Sequence, residues 1–337
     1  DIEAGLRSFI EREFPIATPA FRPDGVSIVD SYIEKKGNFI QGPWLEIRRP
    51  FRTIPADMKA ALPYLSGKWG IASDWVPYAH QLKAFERLAY PNPKSTIVAT
   101  GSGKTECFLL PVLDAVLQMN AENIPGIKAI VIYPMNALAT DQARRFASMC
   151  EDIVQAGGPR LTVGLYTGSP GSISGVMKGE NCITDRKVLR KNPPDILLTN
   201  YKMLDFLLLR REDRALWRTT TAKSLRYLIV DELHTFDGAQ GTDLACLIRR
   251  LRDFLNLDDG LACVGTSATL GGSDGLGALQ QYASDVFGAE FSNEESIIKE
   301  DRLSLGEYLD TFGPRHFEGR WPTPYQFKAF QSLSRAC

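Results

Sequence analysis

Cysteine is sparse and follows no ligand pattern. None of Cys107, Cys150, Cys182, Cys246, Cys263 and Cys337 belongs to a C-x-x-C pair. This gives no zinc framework and fits a reducing compartment, with most of the six serving as small buried side chains. An excess of either charge is also missing. Lys and Arg total 39 against 40 Asp and Glu, a formal net charge of -1. No global basic field marks a polyanion binder, so any such face has to be local. No apolar run approaches the roughly 20 residues of a membrane span. No secretory leader opens the chain either, so a cytoplasmic protein with no membrane partner is expected. No internal repeat is visible. The chain opens with Asp1 rather than Met and stops at Cys337 inside the patterned YQFKAFQSLSRAC. Both ends read as cuts in a longer protein.

What is present is an alternation. The apolar runs STIVA (95–99), IKAIVIY (127–133), RLTVGLY (160–166), DILLT (195–199), LRYLIVD (225–231) and LACVGT (261–266) are short and rich in β-branched residues. Helix-period segments such as TECFLLPVLDAVLQM and ALATDQARRFASMCEDIV separate most of them. Strands apolar on both faces and alternating with helices predict an α/β fold with a doubly wound, mostly parallel sheet. The alternation starts at about residue 94, and the family resemblance described below implies a domain over residues 71–290. Residues 1–70 read as an accessory segment packed on it, and 291–337 as the start of a connection. GSPGSISGVMKGE (168–180) reads as a loop.

Two segments carry chemistry. VATGSGKTE (98–106) directly follows the first strand and opens a helix, the setting a phosphate-binding loop requires. Thr100, Gly101, Ser102 and Gly103 would form a nest of backbone N–H groups at a helix N-terminus, favourable for an anion. Lys104 would reach the β- and γ-phosphates, and Thr105 would place its hydroxyl on Mg²⁺. Val98 stands where the strict G-x-x-x-x-G-K-[ST] pattern has glycine. VDELHT (230–235) ends another apolar run in two adjacent carboxylates, costly at a core edge unless a cation offsets them. Asp231 therefore suits Mg²⁺ binding, and Glu232 suits proton acceptance from an attacking water. An ordinary solvated Asp-Glu pair is the alternative, and the phosphate loop argues against it.

VATGSGKTE, DELH and TSAT (266–269), in that order and at strand ends, resemble motifs I, II and III of superfamily 2 helicases of the DEAD/DEAH-box type. The resemblance implies a RecA-like motor domain using ATP and Mg²⁺. PYAHQLKAF (77–85) looks like the adenine-reading segment, with Gln81 hydrogen-bonding the base and Tyr78 stacking near it. YPMNALATDQ (133–142) and TNYKML (199–204) are similar to motifs that grip a nucleic-acid backbone. On that resemblance Pro134, Asn136, Thr167, Thr199 and Asn200 line the track. Asn136 departs from the family, where many relatives have a basic residue. Arg144, Arg145, Arg186, Lys187, Arg190 and Lys191 would add a basic rim, or simply form solvated helix faces. The His of motif II favours the DExH branch, in which His234 would relay to Ser267 and Thr269. A helix-start histidine bonded to backbone is the alternative for it.

QGPWLE and ELHTFDGAQGTDLACLIRRL further resemble large bacterial DNA helicases of the MrfA-like repair and phage-defence (DISARM, Druantia) kind. That implies DNA in preference to RNA, and partner subunits of a defence or repair complex. An RNA helicase and a nucleotide-gated scaffold remain the competing readings. The family's motor also needs a second sheet domain, for which too few residues come after Thr269.

Overall fold

The computed structural model describes Ser8, residues 49–55, 58–66, 69 and 71, and residues 75–316 apart from 169–181, 258–259, 268–273 and 292. The chain divides into two compact units, Asp1–Arg49 and Pro50–Cys337. The second holds the sheet. Most of the 168–180 loop, QGPWLE, Thr269 and the tail beyond His316 lie outside the described residues.

Among the described residues the sheet has eight strands: β1 (Thr96–Ala99), β2 (Ala129–Tyr133), β3 (Val163–Tyr166), β4 (Cys182–Ile183), β5 (Ile196–Asn200), β6 (Tyr227–Val230), β7 (Ala262–Ser267) and β8 (Ile297–Lys299). They lie in the order β4-β3-β5-β2-β6-β7-β1-β8, and every pairing is parallel. Side chains alternate between faces along a strand. Ala129, Val131 and Tyr133 of β2 therefore enter one hydrophobic cluster, while Ile130 and Ile132 enter the other. Burial on both faces explains why these strands read as continuous apolar runs.

The helices are α1 (Ala79–Leu88), α2 (Lys104–Ala121), α3 (Asn136–Gln155), α4 (Arg186–Lys191), α5 (Tyr201–Leu209), α6 (Gly238–Leu255), α7 (Asp274–Phe287) and α8 (Leu305–His316). α2 is apolar almost all round, and its residues from Cys107 to Leu117 are buried. Such a helix belongs inside a fold rather than on its surface. Among the described residues, no helix is long and apolar enough to cross a membrane.

Six strands fall where the sequence pattern puts them; β4 and β8 come from segments in which no strand was expected. β8 pairs with β1 through Ile97↔Ile297, so the sheet continues past residue 290. At the other end the domain was expected to begin near residue 71, whereas the compact unit begins at Pro50. The segment before α1 is pinned from within. Buried Asp114 of α2 accepts the N–H groups of Tyr64 and Leu65, both at 2.8 Å, and Leu62 and Leu65 lie in the core.

Strand order sets the site. The strands β6, β7 and β1 lie side by side, and their C-terminal ends carry VDELH, the start of TSAT and the glycine-rich loop. Ligands of doubly wound sheets bind at this edge.

Candidate nucleotide and nucleic-acid site

Gly103 closes the loop with φ +71°, which a β-carbon would strain. A β-carbon there would also lie 2.7 Å from Nε2 of Gln81. The loop thus packs directly on the N-terminal turn of α1. Val98, the departure from the strict motif, is fully buried in β1 and paired with Thr266 of β7. That position is strand, and the loop begins after it.

Parallel register brings the distant parts together. Val230 lies opposite Gly265 and Val98 opposite Thr266, so Asp231 arrives beside Thr266, one strand away from the loop. The Thr266 hydroxyl donates to Oδ1 of Asp231 and accepts the N–H of Glu232 at 3.0 Å. One hydroxyl therefore holds both carboxylate residues, using its donor and an acceptor lone pair. Glu232 itself adopts the left-handed conformation (φ 49°, ψ 50°), which a non-glycine residue adopts only under support from its surroundings. Its Oε1 accepts from Lys104 Nζ at 2.7 Å. The other oxygen, Oε2, is buried with no hydrogen bond among the described residues and lies 3.5 Å from His234 Nδ1. His234 in turn lies 3.2 Å from the Ser267 hydroxyl. Lys104, Asp231, Glu232, His234 and Ser267 thus form one connected group. Thr266 was missed, although its place at the end of a strand next to the Asp-Glu strand was a usable signal.

Burial, and then the neighbouring Glu232, push the Asp231 carboxyl above the usual carboxylate range. The anion is the disfavoured form, so ionised Asp231 lowers stability at neutral pH. That penalty disappears as pH falls through the raised value. Asp231→Asn should therefore raise the melting temperature of the metal-free protein. A thermal scan at pH 7 checks this; no gain, or a loss, would contradict it. Among the described residues no group of three or more His, Cys, Asp and Glu could hold a metal ion. The donors here are the oxygens of Asp231 and Thr105, the chemistry Mg²⁺ selects, and Mg²⁺ commonly takes only one or two protein ligands.

A cavity of about 670 Å³ runs along the loop from Gly101 to Glu106 and reaches Tyr78 and Gln81. The residues expected to read a base therefore line the same hollow as the phosphate loop. Gln81 is nearly buried, and its Oε1 accepts the Tyr78 N–H at 3.0 Å, which leaves its amide nitrogen turned toward the loop. The Tyr78 ring stacks on His80, with centroids 5.5 Å apart. Thr100 is fully buried and donates to the Ser102 carbonyl at 3.1 Å, supporting the loop from inside rather than facing a ligand.

At the ends of neighbouring β2 and β5, the N-termini of α3 and α5 are joined side by side. Asn200 caps α5, its Oδ1 accepting the Met203 N–H at 2.8 Å, and its amide donates to Asn136 Oδ1 at 2.5 Å. Helix N-termini attract phosphate oxygens. Pro134 is half-buried, and Asn136 is exposed. Thr199 needs correction as a backbone-contacting donor. It is fully buried and its hydroxyl donates to the Tyr166 carbonyl at 2.7 Å, bracing β5 against β3. Thr167 is nearly buried too, its carbonyl accepting from Arg186 at 2.9 Å.

The proposed basic rim is mostly neutralised. Arg145 pairs with Glu106, Arg144 lies 3.8 Å from Asp141, and Arg190 pairs with buried Asp213 at 2.7 Å. Only Lys187 and Lys191 of that set stand exposed without a carboxylate partner among the described residues.

The chain has relatives among known proteins. Druantia protein DruE of Escherichia coli is 26% identical, over 91% of this chain and 22% of its own length. The uncharacterized ATP-dependent helicase YprA of Bacillus subtilis is 30% identical, over 74% of this chain and 30% of its own. This chain thus spans less than a third of either relative. Among solved structures, helicase MrfA bound to DNA matches with a TM-score of 0.52 at 24% identity, over 77% of this chain and 32% of that one. That likeness shows the RecA-like fold. Residues 78–274, more than half of the chain and all of the site except Thr53, Trp75 and Val76 at the cavity's edge, match the DEAD/DEAH box helicase family, and the chain belongs to it.

Proposed function

We propose that this chain is the first motor domain of an ATP-dependent DNA helicase or translocase acting in phage defence or DNA repair. The observation that carries the reading is the 2.7 Å contact between Lys104 and Glu232, which are 128 residues apart in sequence. It puts the phosphate-loop lysine at the carboxylate of the expected general base. When bound, Mg²⁺ would neutralise polyphosphate charge and fix the orientation of the terminal phosphate. Asp231 and Thr105 would hold that ion, with Thr266 keeping Asp231 in place. Lys104 would exchange Glu232 for phosphate oxygens, freeing Glu232 to accept a proton from water. His234 and Ser267 would carry the state of Glu232 toward residue 269 and the nucleic-acid track. DNA is favoured over RNA because the similar helicase MrfA was solved on DNA.

Lys104→Ala should weaken ATP affinity about 10–100-fold, the range expected for losing charge-assisted hydrogen bonds. Equilibrium binding of a fluorescent ATP analogue measures it, and unchanged affinity would defeat the reading. Hydrolysis by the full-length protein, stimulated by single-stranded DNA and not by RNA, would support DNA; the reverse would support the RNA alternative.

A further inference from the structure

The Ser102–Gly103 peptide is held from behind. The Ser102 carbonyl accepts two hydrogen bonds, from Thr100 Oγ1 at 3.1 Å and from His80 Nε2 at 3.2 Å. A carbonyl only accepts, so Nε2 carries the proton in this pair. In a planar trans peptide the C=O and the next N–H point in opposite directions. Fixing the carbonyl toward α1 therefore turns the Gly103 N–H away from α1. The N–H groups of Gly103, Lys104 and Thr105 make no hydrogen bond to any described residue. The neighbouring Gly101 N–H already meets an anion, the Glu300 carboxylate at 3.4 Å.

His80 is built in firmly. It is fully buried and packs against the rings of Phe51 (centroids 5.2 Å apart) and Tyr78, which also touch each other. Its Nδ1 has no hydrogen bond among the described residues. Burial holds the ring below the usual histidine range, in its neutral form. A buried nitrogen left without a donor is disfavoured, so the bond from Nε2 and the ring contacts account for its position.

We infer that His80 is a positioning residue for phosphate binding, orienting the Ser102–Gly103 peptide so that the Gly103 N–H faces the bound phosphates. This rests on the nucleotide-binding reading above and adds to it. The residue beside the base-reading Gln81 sets the geometry of the phosphate loop, so the two halves of the nucleotide are recognised through one turn of α1.

The test compares ADP with adenosine, both competed against a fluorescent nucleotide on the full-length protein. His80→Phe keeps the aromatic packing and removes the donor. It should weaken ADP about tenfold, the scale of one lost hydrogen bond, and leave adenosine unchanged. His80→Gln, whose Nε2 can reach the same carbonyl, should restore ADP affinity. If His80→Phe does not fold, His80→Asn, too short to reach, should show the same loss for ADP alone. Unchanged ADP affinity in these variants, or equal weakening of ADP and adenosine, would overturn the inference. Lys104→Ala serves as the control: if it also leaves ADP binding unaltered, the nucleotide reading fails with it. If Lys104→Ala loses ADP and His80→Phe does not, only the role of His80 falls.

Discussion

Replacing Glu232 by Gln should lower ATP turnover by about 10²–10⁴-fold, the usual contribution of a general base, while nucleotide binding persists. The side chain keeps its size and the backbone at Glu232 keeps its support from Thr266, whose hydroxyl bonds the main-chain N–H and is untouched by the change. What disappears is the proton acceptor. The partner of Lys104 disappears as well, because the 2.7 Å ion pair loses its charge. Lys104 is then free for phosphate without first leaving a carboxylate, so ATP affinity should stay equal or rise. Side-chain exposures of 19% and 28% make this pair partly screened, so the gain in affinity is expected to be small. Turnover and nucleotide binding measured on the same preparation separate the two effects. A variant that hydrolyses at the parent rate would show that Glu232 is not the base. One that binds no nucleotide would show that it serves mainly to shape the loop.

Much of this site was legible because its parts lie at the ends of strongly apolar strands. TIVA, YLIV and ACVGTS announce β1, β6 and β7, and each runs into a loop or turn at the same sheet edge. The sequence could not give the strand order, which depends on which helices fill which face. Only the order β6-β7-β1 brings Thr266 against Asp231 and Lys104 against Glu232. β8 was missed because IIK is three residues long and isolated; its identity as a strand comes entirely from β1 beside it. Thr199 misled for a related reason. A threonine in TNYKML offers a hydroxyl, but a one-residue step along β5 decides whether it faces the track or the neighbouring strand. The same alternation sends Asn200 outward, where it caps α5 and bonds Asn136. His80 gave no signal, since a histidine beside a motif glutamine acquires a role only when the loop carbonyl arrives next to it.

The 337 residues alone are expected to bind ATP with Mg²⁺ yet hydrolyse it about 10³–10⁵-fold more slowly than the full-length protein on nucleic acid, and not to unwind a duplex. The magnitude is that of a missing arginine acting on the transition state. Within the site, positive charge comes from Lys104 and the N-terminus of α2. Arg145 also lines the cavity, but Glu106 neutralises it. The described residues form one sheet with one phosphate edge, so a second motor domain would have to bring the arginines and the far side of the nucleic-acid track. On the proposed function, coupling would arise from the same geometry. The Asn136–Asn200 bracket would grip a nucleic-acid strand from one side, while the Glu232–His234–Ser267 chain ends at the same sheet edge. Closure of a second domain over both would link hydrolysis to movement. Steady-state ATPase assays of the isolated 337 residues and of the full-length protein, each with and without single-stranded DNA, compare the two directly. Brisk, DNA-stimulated hydrolysis by the isolated residues would mean that the transition-state charge is met within this sheet, and Arg145 released from Glu106 would then be the first side chain to replace.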